Sequence, residues 1–263
     1  MACQSVATDN VSIKVRLAAE YVPPIAPRRH RALLRATSAI THDLREFEFE
    51  SAGGAIFRPG QYALLELPGA NASRAYSMSN LPNDAGQWQF QIRRVPSGKI
   101  TSALFDALRE GDEVLLDGPY GLAYLREDAP RDIVCVAGGS GLAPMISIAR
   151  GAAHAGLLRE RRLHFFYGAR TPADVCGQAM LAVLPNADHI SYHAVVSMPA
   201  SGGAPWDGET GLVHEVVGRL LPKPFDSYEF YFAGPPPMTQ ALQELLMVTH
   251  RVPYGQIHFD RFF

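Results

Sequence analysis

A glycine-rich segment offers the clearest chemistry in this sequence. Residues 137–144 read AGGSGLAP, directly after an apolar run and at the start of a helical pattern. At such a turn, free backbone N–H groups and the helix dipole favour a phosphate, and glycine lets that phosphate approach the backbone. Pro144 stands where the dinucleotide fingerprint of dehydrogenases has its third glycine. The segment therefore predicts a nucleotide site of another family, with a purely structural turn as the simpler alternative.

A proline-rich segment repeats this arrangement near the C-terminus. Residues 232–238 read FAGPPPM, after another apolar strand pattern and before an amphipathic helical pattern. A rigid turn is the simplest interpretation. If both strands belong to one sheet, however, the two loops meet at its carboxyl edge, where a second part of the same ligand would lie.

A third segment combines a cation, an aromatic ring and hydroxyl groups. Residues 74–79 read RAYSMS, and in an extended chain Arg74 and Tyr76 share one face. A planar, anionic cofactor would use all three groups: the guanidinium for a phosphate, the ring for stacking and the Ser77 hydroxyl for a ring nitrogen. Taken alone, the hexapeptide is better explained as an ordinary exposed strand.

Two kinds of element must position these segments. From His30 to Leu116, short alternating runs such as 45–50 and 88–93 are separated by Pro and Gly turns, which predicts a small antiparallel barrel or sandwich. One helix, capped by Thr101 or Ser102, interrupts it. After Pro130, near-continuous apolar strands alternate with helical patterns, which predicts parallel βαβ units in a doubly wound sheet; these strands are 133–137, 163–167 and 229–233.

In this order and spacing, the three segments resemble the ferredoxin–NADP reductase superfamily over roughly residues 29–263. The resemblance implies an antiparallel six-stranded FAD-binding β-barrel at 29–128 and an α/β NAD(P)H-binding domain, a doubly wound parallel sheet, at 129–263. The flavin would lie in the cleft between them, and residues 1–28 would be a tail or linker. Within the superfamily, the sequence is most similar to the NADH-dependent FAD reductase components of multicomponent aromatic-ring (Rieske-type) oxygenases.

The resemblance also implies binding residues for both cofactors. Segment 93–102 looks like the second flavin segment of the family, whose backbone and hydroxyl groups hold the pyrophosphate. The implied FAD contacts are Arg74, Ala75, Tyr76, Ser77, Ile92, Arg93, Gly98, Lys99, Ile100 and Thr101. The implied contacts near the nicotinamide coenzyme are Gly139, Ser140, Gly141, Pro144, Arg170, Ala233, Gly234, Pro235, Pro236, Met238 and Phe262.

Four residues are implied at the reacting centre. By resemblance, Tyr76 stacks on the flavin, Ser77 touches its N5 atom, Ser140 borders the nicotinamide, and the terminal Phe263 or its neighbour Phe262 lies close to the flavin. A buried C-terminal strand is the alternative for the two phenylalanines. Ala233 stands where many relatives carry a cysteine, so no thiol is expected there.

The charge of one segment bears on the choice between NADH and NADPH. A 2′-phosphate needs cations, and residues 194–201 contain neither Arg nor Lys, which favours NADH. Arg170 is the main objection, because it would either meet a phosphate or pair with Asp174.

The amino-acid composition limits the classes of partner and the locations that are expected. Lys and Arg number 24 against 26 Asp and Glu, so no strong field favours nucleic acid or a membrane surface. No transmembrane stretch or signal peptide is evident, and a cytoplasmic location is expected. The three cysteines lack the close spacing of a metal site, so no metal is predicted. The sequence makes no prediction of oligomeric state.

The N-terminus suggests the electron acceptor. Segment 3–9 looks like the end of a plant-type iron–sulfur domain, so the chain is expected to be a reductase core lacking that domain, by gene architecture or by truncation. By resemblance, its acceptor is an iron–sulfur protein, either a ferredoxin or an oxygenase component. A free-flavin reductase and a flavin-bearing redox sensor remain the alternatives, whereas the scattered histidines give no hydrolytic arrangement.

Overall fold

The first half of the chain folds into antiparallel strands. The computed structural model describes residues 9–12, 14, 22, 23, 25–67, 73–201 and 205–262. The strands are β1 (Arg28–Ala39), β2 (Leu44–Ser51), β3 (Tyr62–Glu66), β4 (Ser73–Ser77), β5 (Gln87–Arg93) and β6 (Glu113–Tyr120). They form a six-stranded sheet in the order β4-β3-β6-β1-β2-β5, and each neighbouring pair is antiparallel.

This sheet closes into a barrel. β4 and β5 are the two ends of the strand order, and an antiparallel bridge between Met78 and Phe90 joins them. Beside it, the Ser79 amide donates to the Gln89 carbonyl at 2.8 Å. Alternate side chains point inward and form an apolar core around the fully buried Phe90. The predicted six-stranded antiparallel barrel is confirmed.

The helix that interrupts the barrel begins earlier than predicted. α1 (Lys99–Ser102) follows Gly98 as its N-cap and continues into a π-helical turn at Ala103–Ala107. The Thr101 hydroxyl does not cap it, since that oxygen accepts from the Val95 amide at 3.2 Å and lies 3.3 Å from the Gly98 carbonyl. The prediction of a cap at Thr101 or Ser102 was therefore wrong, because this hydroxyl closes the preceding loop instead.

The second half of the chain contains a parallel sheet. Its strands are β7 (Asp132–Gly138), β8 (Leu163–Ala169), β9 (Ile190–Val196), β10 (Glu209–Thr210), β11 (Tyr228–Gly234) and β12 (Ile257–Arg261). All neighbouring pairs are parallel, in the order β10-β9-β8-β7-β11-β12. The order runs outward from β7 in both directions, so the sheet has a switch point between β7 and β11.

Helices cover both faces of this sheet. They are α2 (Leu142–His154), α3 (Gln178–Ala182), α4 (Val213–Leu220) and α5 (Pro236–Gln243), which continues into a π-helical turn at Glu244–Thr249. Cys135 packs with α2 and α3 on one face, whereas Val134 and Val136 pack with α4 and α5 on the other. This confirms the doubly wound fold. Single 3₁₀ turns lie at Gly139–Gly141, Leu157–Arg159, Pro172–Asp174, Ala187–His189, Phe225–Ser227 and Tyr254–Gln256. Among the described residues, no helix combines the length and apolar character needed to cross a membrane.

Candidate functional site

The glycine-rich and proline-rich loops lie side by side at the carboxyl edge of the sheet. They follow β7 and β11, which pair directly, with Ala137 opposite Ala233. Gly139 adopts a left-handed conformation, with φ of +58°, and the chain turns there into α2. A Cβ atom on Gly138 would lie 2.6 Å from the Met238 sulfur, so a side chain there would displace the end of Met238. Gly138 therefore lets the two predicted coenzyme loops pack closely together.

The first turn of α2 carries the rest of this loop. Gly141 ends the 3₁₀ turn, and Pro144 is the third residue of the helix, where its missing N–H costs no intrahelical hydrogen bond. The side chain of Pro144 is buried, and Ser140 is half-buried beside the turn. The loop can thus present backbone N–H groups, and the Ser140 hydroxyl, to an anionic or polar ligand.

The predicted flavin strand lies at an edge of the barrel sheet. β4 pairs with β3 along one side only, before the bridge at Met78. Arg74 and Ala75 are exposed, whereas Tyr76 is half-buried and packs against the barrel core. Burial raises the pKa of Tyr76 to about 12, and the nearby charge of Arg74 opposes this rise. The phenol is therefore neutral near pH 7, which suits it to stacking.

Ser77 ends the strand with an unusual hydroxyl. The side chain is 4% exposed, and its Oγ atom has no hydrogen-bond partner among the described residues. Leaving a buried hydroxyl without a partner costs about 1–3 kcal/mol, so such groups are rare unless a ligand completes them. This atom and the glycine cradle are two independent features that fit a flavin and a nicotinamide coenzyme.

The second flavin segment begins at the end of β5. Ile92 is 1% exposed and lies in the barrel core, so only its backbone is available to a cofactor. Gly98 and Lys99 start α1, whose first-turn N–H groups lack intrahelical acceptors. Ile100 packs against the barrel, and the Thr101 hydroxyl bonds within the loop as described. Backbone N–H groups, more than side chains, are thus the donors that this segment offers.

Arg93 joins the two halves of the site. Its Nη1 atom lies 3.5 Å from the position of a Cβ atom on Gly139, so a barrel guanidinium faces the coenzyme loop. The Nε and Nη2 atoms are buried and make no hydrogen bond to a described residue. They lie 3.4 Å from Asp43 and 3.7 Å from Asp174, respectively, in long ion pairs. The Nη1 atom is therefore the donor of Arg93 that faces the coenzyme loop and is suited to a phosphate there.

Asp43 and Asp174 form a charged cluster with two arginines. Arg170 Nη2 lies 3.6 Å from Asp43 and 3.7 Å from Asp174, so the pairing alternative holds and extends to a carboxylate of the barrel. His42 Nε2 lies 3.9 Å from Asp174. Burial raises the pKa of the Asp174 carboxyl, but hydrogen bonds from Thr171 and the arginine charges outweigh burial and hold that pKa below its usual range. Sequence patterns did not indicate Asp43 or His42.

The C-terminal strand reaches the same cleft. The Phe262 amide donates to the Gly234 carbonyl at 3.0 Å, which places this residue beside the proline-rich loop. Phe263, predicted at the reacting centre, lies outside the described residues. Asp260 is half-buried near Gly121, and no described residue gives its carboxylate a hydrogen bond or ion pair. Burial raises the pKa of Asp260 to about 7.

Comparisons with known proteins show which domains and relatives the chain is similar to. The family model for an oxidoreductase FAD-binding domain matches residues 31–124, and that for an oxidoreductase NAD-binding domain matches residues 135–244. The whole chain is 39% identical to 78% of the ferredoxin–NAD(P)+ reductase CarAd of Metapseudomonas resinovorans. It is 36% identical to 77% of the ferredoxin–NAD(P)+ reductase component of naphthalene 1,2-dioxygenase/salicylate 5-hydroxylase systems from a Ralstonia species. A solved structure, the ferredoxin reductase in carbazole 1,9a-dioxygenase, covers the whole chain with a TM-score of 0.88 at 35% identity, over 78% of its own length.

Proposed function

The chain belongs to the ferredoxin reductase family of oxidoreductases with an FAD-binding and an NAD-binding domain, and on this premise we propose that it oxidises NADH through bound FAD and passes single electrons to an iron–sulfur protein or oxygenase component. The proposal rests on the close approach of Arg93 to Gly139. It brings two segments that are far apart in sequence into one cleft. We assign 29–128 to the flavin domain and 129–263 to the coenzyme domain, after the tail at 1–28.

On the flavin side, we assign binding to β4 and to the start of α1. Arg74 supplies a cation to the FAD phosphates, while the neutral Tyr76 ring supports the flavin ring system. Ser77 donates its otherwise unpartnered hydroxyl to the flavin. Lys99 and the residues that follow it offer first-turn N–H groups to the pyrophosphate, next to Gly98, whose own N–H donates to the Val95 carbonyl at 3.0 Å.

On the coenzyme side, the two loops hold and orient NADH. The N–H groups of Gly139 to Gly141 and the guanidinium of Arg93 bind the coenzyme pyrophosphate. Ser140 and the loop from Ala233 to Met238 border the nicotinamide. Bound flavin supplies the chemistry, accepting a hydride and releasing electrons singly; the protein contributes orientation and exclusion of water.

We attribute the proposed preference for NADH to the two ion pairs of Arg170. Its guanidinium lies between Asp43 and Asp174, so both carboxylates compete with any 2′-phosphate for this cation. Residues 194–201 add no other Arg or Lys. A 2′-phosphate would therefore meet little positive charge at this edge of the sheet.

The names of the relatives support a proposal for the electron acceptor. CarAd is a ferredoxin–NAD(P)+ reductase, and the Ralstonia relative serves dioxygenase and hydroxylase systems. We propose a ferredoxin or an iron–sulfur oxygenase component of an aromatic-ring oxygenase as the partner. We also propose a cytoplasmic location, since the proposed reductant is the NADH of that compartment.

Anaerobic stopped-flow absorbance tests this function. The FAD-loaded protein, freed of excess flavin by gel filtration, is mixed with NADH and separately with NADPH while the flavin band is followed. We expect flavin that co-elutes with the protein and is bleached far faster by NADH. Flavin that neither coenzyme reduces would favour a redox sensor, and flavin lost on the column would favour a free-flavin reductase.

A further inference from the structure

α2 contacts the barrel along one face. It is buried against the sheet on one side, yet Ser147, Ile148, Arg150 and Gly151 all face the barrel, at the spacing of one helical face. The helix begins at Leu142, directly after the coenzyme loop Gly139–Gly141. Any movement of α2 relative to the barrel therefore moves that loop.

Two hydrogen bonds join this helix face to the segment that follows the predicted flavin strand, β4. The Ser147 hydroxyl donates to the Asn80 carbonyl at 2.8 Å, and Arg150 Nη1 donates to the Ser79 carbonyl at 2.9 Å. Both acceptors are main-chain atoms that directly follow β4 and Met78. They lie two and three residues beyond Ser77, whose hydroxyl is the proposed flavin contact.

The barrel holds these two carbonyls in place. The Ser79 hydroxyl donates to Glu46 Oε2 at 3.2 Å, and the Gln91 amide donates to the same oxygen at 3.0 Å. The Asn80 amide donates to the Gln87 carbonyl at 2.7 Å. Because every group is tied to β2 or β5, the acceptors cannot follow a shifting helix freely.

A close contact of the helix backbone also joins α2 to the barrel. A Cβ atom on Gly151 would lie 2.7 Å from Pro59 Cγ, so the helix backbone rests directly on a barrel proline. Burial lowers the pKa of Arg150, while the negative charge of Glu46 raises it. An arginine side chain is protonated near pH 7, so a charge-assisted hydrogen bond from Arg150 joins the two domains.

We propose that Arg150 and Ser147 are positioning residues that set the separation between the nicotinamide loop and the flavin strand. They act through α2, whose rise of about 1.5 Å per residue places Ser147 about 9 Å from Gly141. Loss of either bond lets the helix, and with it the proposed coenzyme site, settle at a different distance from Ser77. This inference rests on the proposed function, because it assigns the two cofactors to these two segments.

The test compares Arg150→Met, Ser147→Ala and Arg150→Lys with the wild type. Arg159→Met is the matched control, since that arginine is exposed just beyond α2 and its side chain makes no hydrogen bond or ion pair with a described residue. Each FAD-loaded protein is reduced by NADH without oxygen over a range of concentrations. Repetition with NADH deuterated at C4 gives the isotope effect on the limiting rate, and thermal unfolding reports on folding.

We expect Arg150→Met and Ser147→Ala to lower the limiting rate about 10- to 100-fold, as small misplacements of reacting groups do. The half-saturating NADH concentration should stay within about two-fold, since one misplaced loop retains its own ligand contacts. The deuterium isotope effect should rise, because hydride transfer becomes more fully rate-limiting. Arg150→Lys should recover part of the rate, and Arg159→Met should match the wild type.

Three outcomes would overturn the proposal. Variants that unfold at lower temperature but keep the wild-type limiting rate and isotope effect would show that the two hydrogen bonds only stabilise the fold. Variants that change only the half-saturating concentration would show a binding role. A wild type whose flavin NADH does not reduce would defeat the proposed function itself, and the positioning role with it.

Discussion

The Cα atom of Gly141 lies against the main-chain carbonyl of Ala233, so closely that a Cβ atom on Gly141 would overlap that carbonyl. This contact joins the coenzyme loop after β7 to the end of β11, where the proline-rich loop begins. Because both partners are backbone, neither side chain can move aside to relieve an overlap. The relative position of the two loops therefore depends on the absence of a side chain at residue 141.

Gly141→Ala should impair NADH use while leaving FAD in place. The added methyl group forces the two loops apart, which disturbs the proposed nicotinamide site but not β4. Overpacking of this kind typically costs about 1–3 kcal/mol. We expect a markedly higher half-saturating NADH concentration or a lower reduction rate, with unchanged flavin content, in anaerobic reduction kinetics.

Gly255→Ala is the matched control for this substitution. A Cβ atom at Gly255 would have no neighbour within 4 Å, and its φ angle is not in the left-handed region. It should behave as the wild type. Equal kinetics for Gly141→Ala and Gly255→Ala would refute the role assigned to the loop contact.

Ser77→Ala should affect FAD binding and stability in opposite directions. The Ser77 hydroxyl is buried without a partner, so its removal relieves a penalty of about 1–3 kcal/mol in the FAD-free protein. In the FAD-bound protein this penalty is already offset by the hydrogen bond to the flavin, so the variant should bind FAD more weakly by at least about 1–3 kcal/mol, or roughly 5- to 150-fold. Thermal unfolding of the FAD-free protein and a flavin titration measure the two effects; a less stable FAD-free variant would contradict this account.

Asp260 should make stability depend on pH. Burial raises the pKa of its carboxyl in the folded protein from 3.8 to about 7, so between these values the folded state binds the proton that the unfolded state has lost. The contribution of this group to the free energy of unfolding therefore falls as pH rises through this window, and is constant above it.

Asp260→Asn tests this dependence directly. The amide cannot ionise, so the variant should lack this component and should be more stable than the wild type above about pH 7. Melting temperatures of both FAD-free proteins, measured from acid to neutral pH, would show converging curves at low pH. Parallel curves across the whole range would mean that the carboxyl titrates normally.

Glu229→Ala should destabilise the fold without altering the site. Glu229 is 2% exposed, lies 2.6 Å from His258 Nε2 and accepts from Arg131 Nε at 2.8 Å, near the amino ends of the strands. Removing one partner of a buried charge network typically costs about 3–5 kcal/mol. Denaturant unfolding measures this loss, and the exposed Glu160→Ala should change stability by less than about 0.5 kcal/mol. Reduction of the folded fraction by NADH should proceed at the wild-type rate.

The strands at 133–137, 163–167 and 229–233 were predictable because a buried parallel strand is a local apolar run bounded by turn residues. The start of α1 was not, because the sequence shows two hydroxyl residues near that helix and does not show that Thr101 bonds back to Val95. Arg170 was ambiguous for a related reason. Asp174 is its neighbour along the chain, but Asp43 reaches it only from the barrel.

The sequence by itself thus determined the two fold classes, the order of the domains and the segments that are proposed to bind the cofactors, because each depends on residue spacing within about ten positions of the chain. Only the tertiary structure decided how the segments meet. Arg93 on Gly139, Gly141 on Ala233, and Arg150 on Ser79 each join residues distant in sequence. Two of these three contacts end on a backbone carbonyl, which every residue type supplies, so no pattern of side chains could have predicted them.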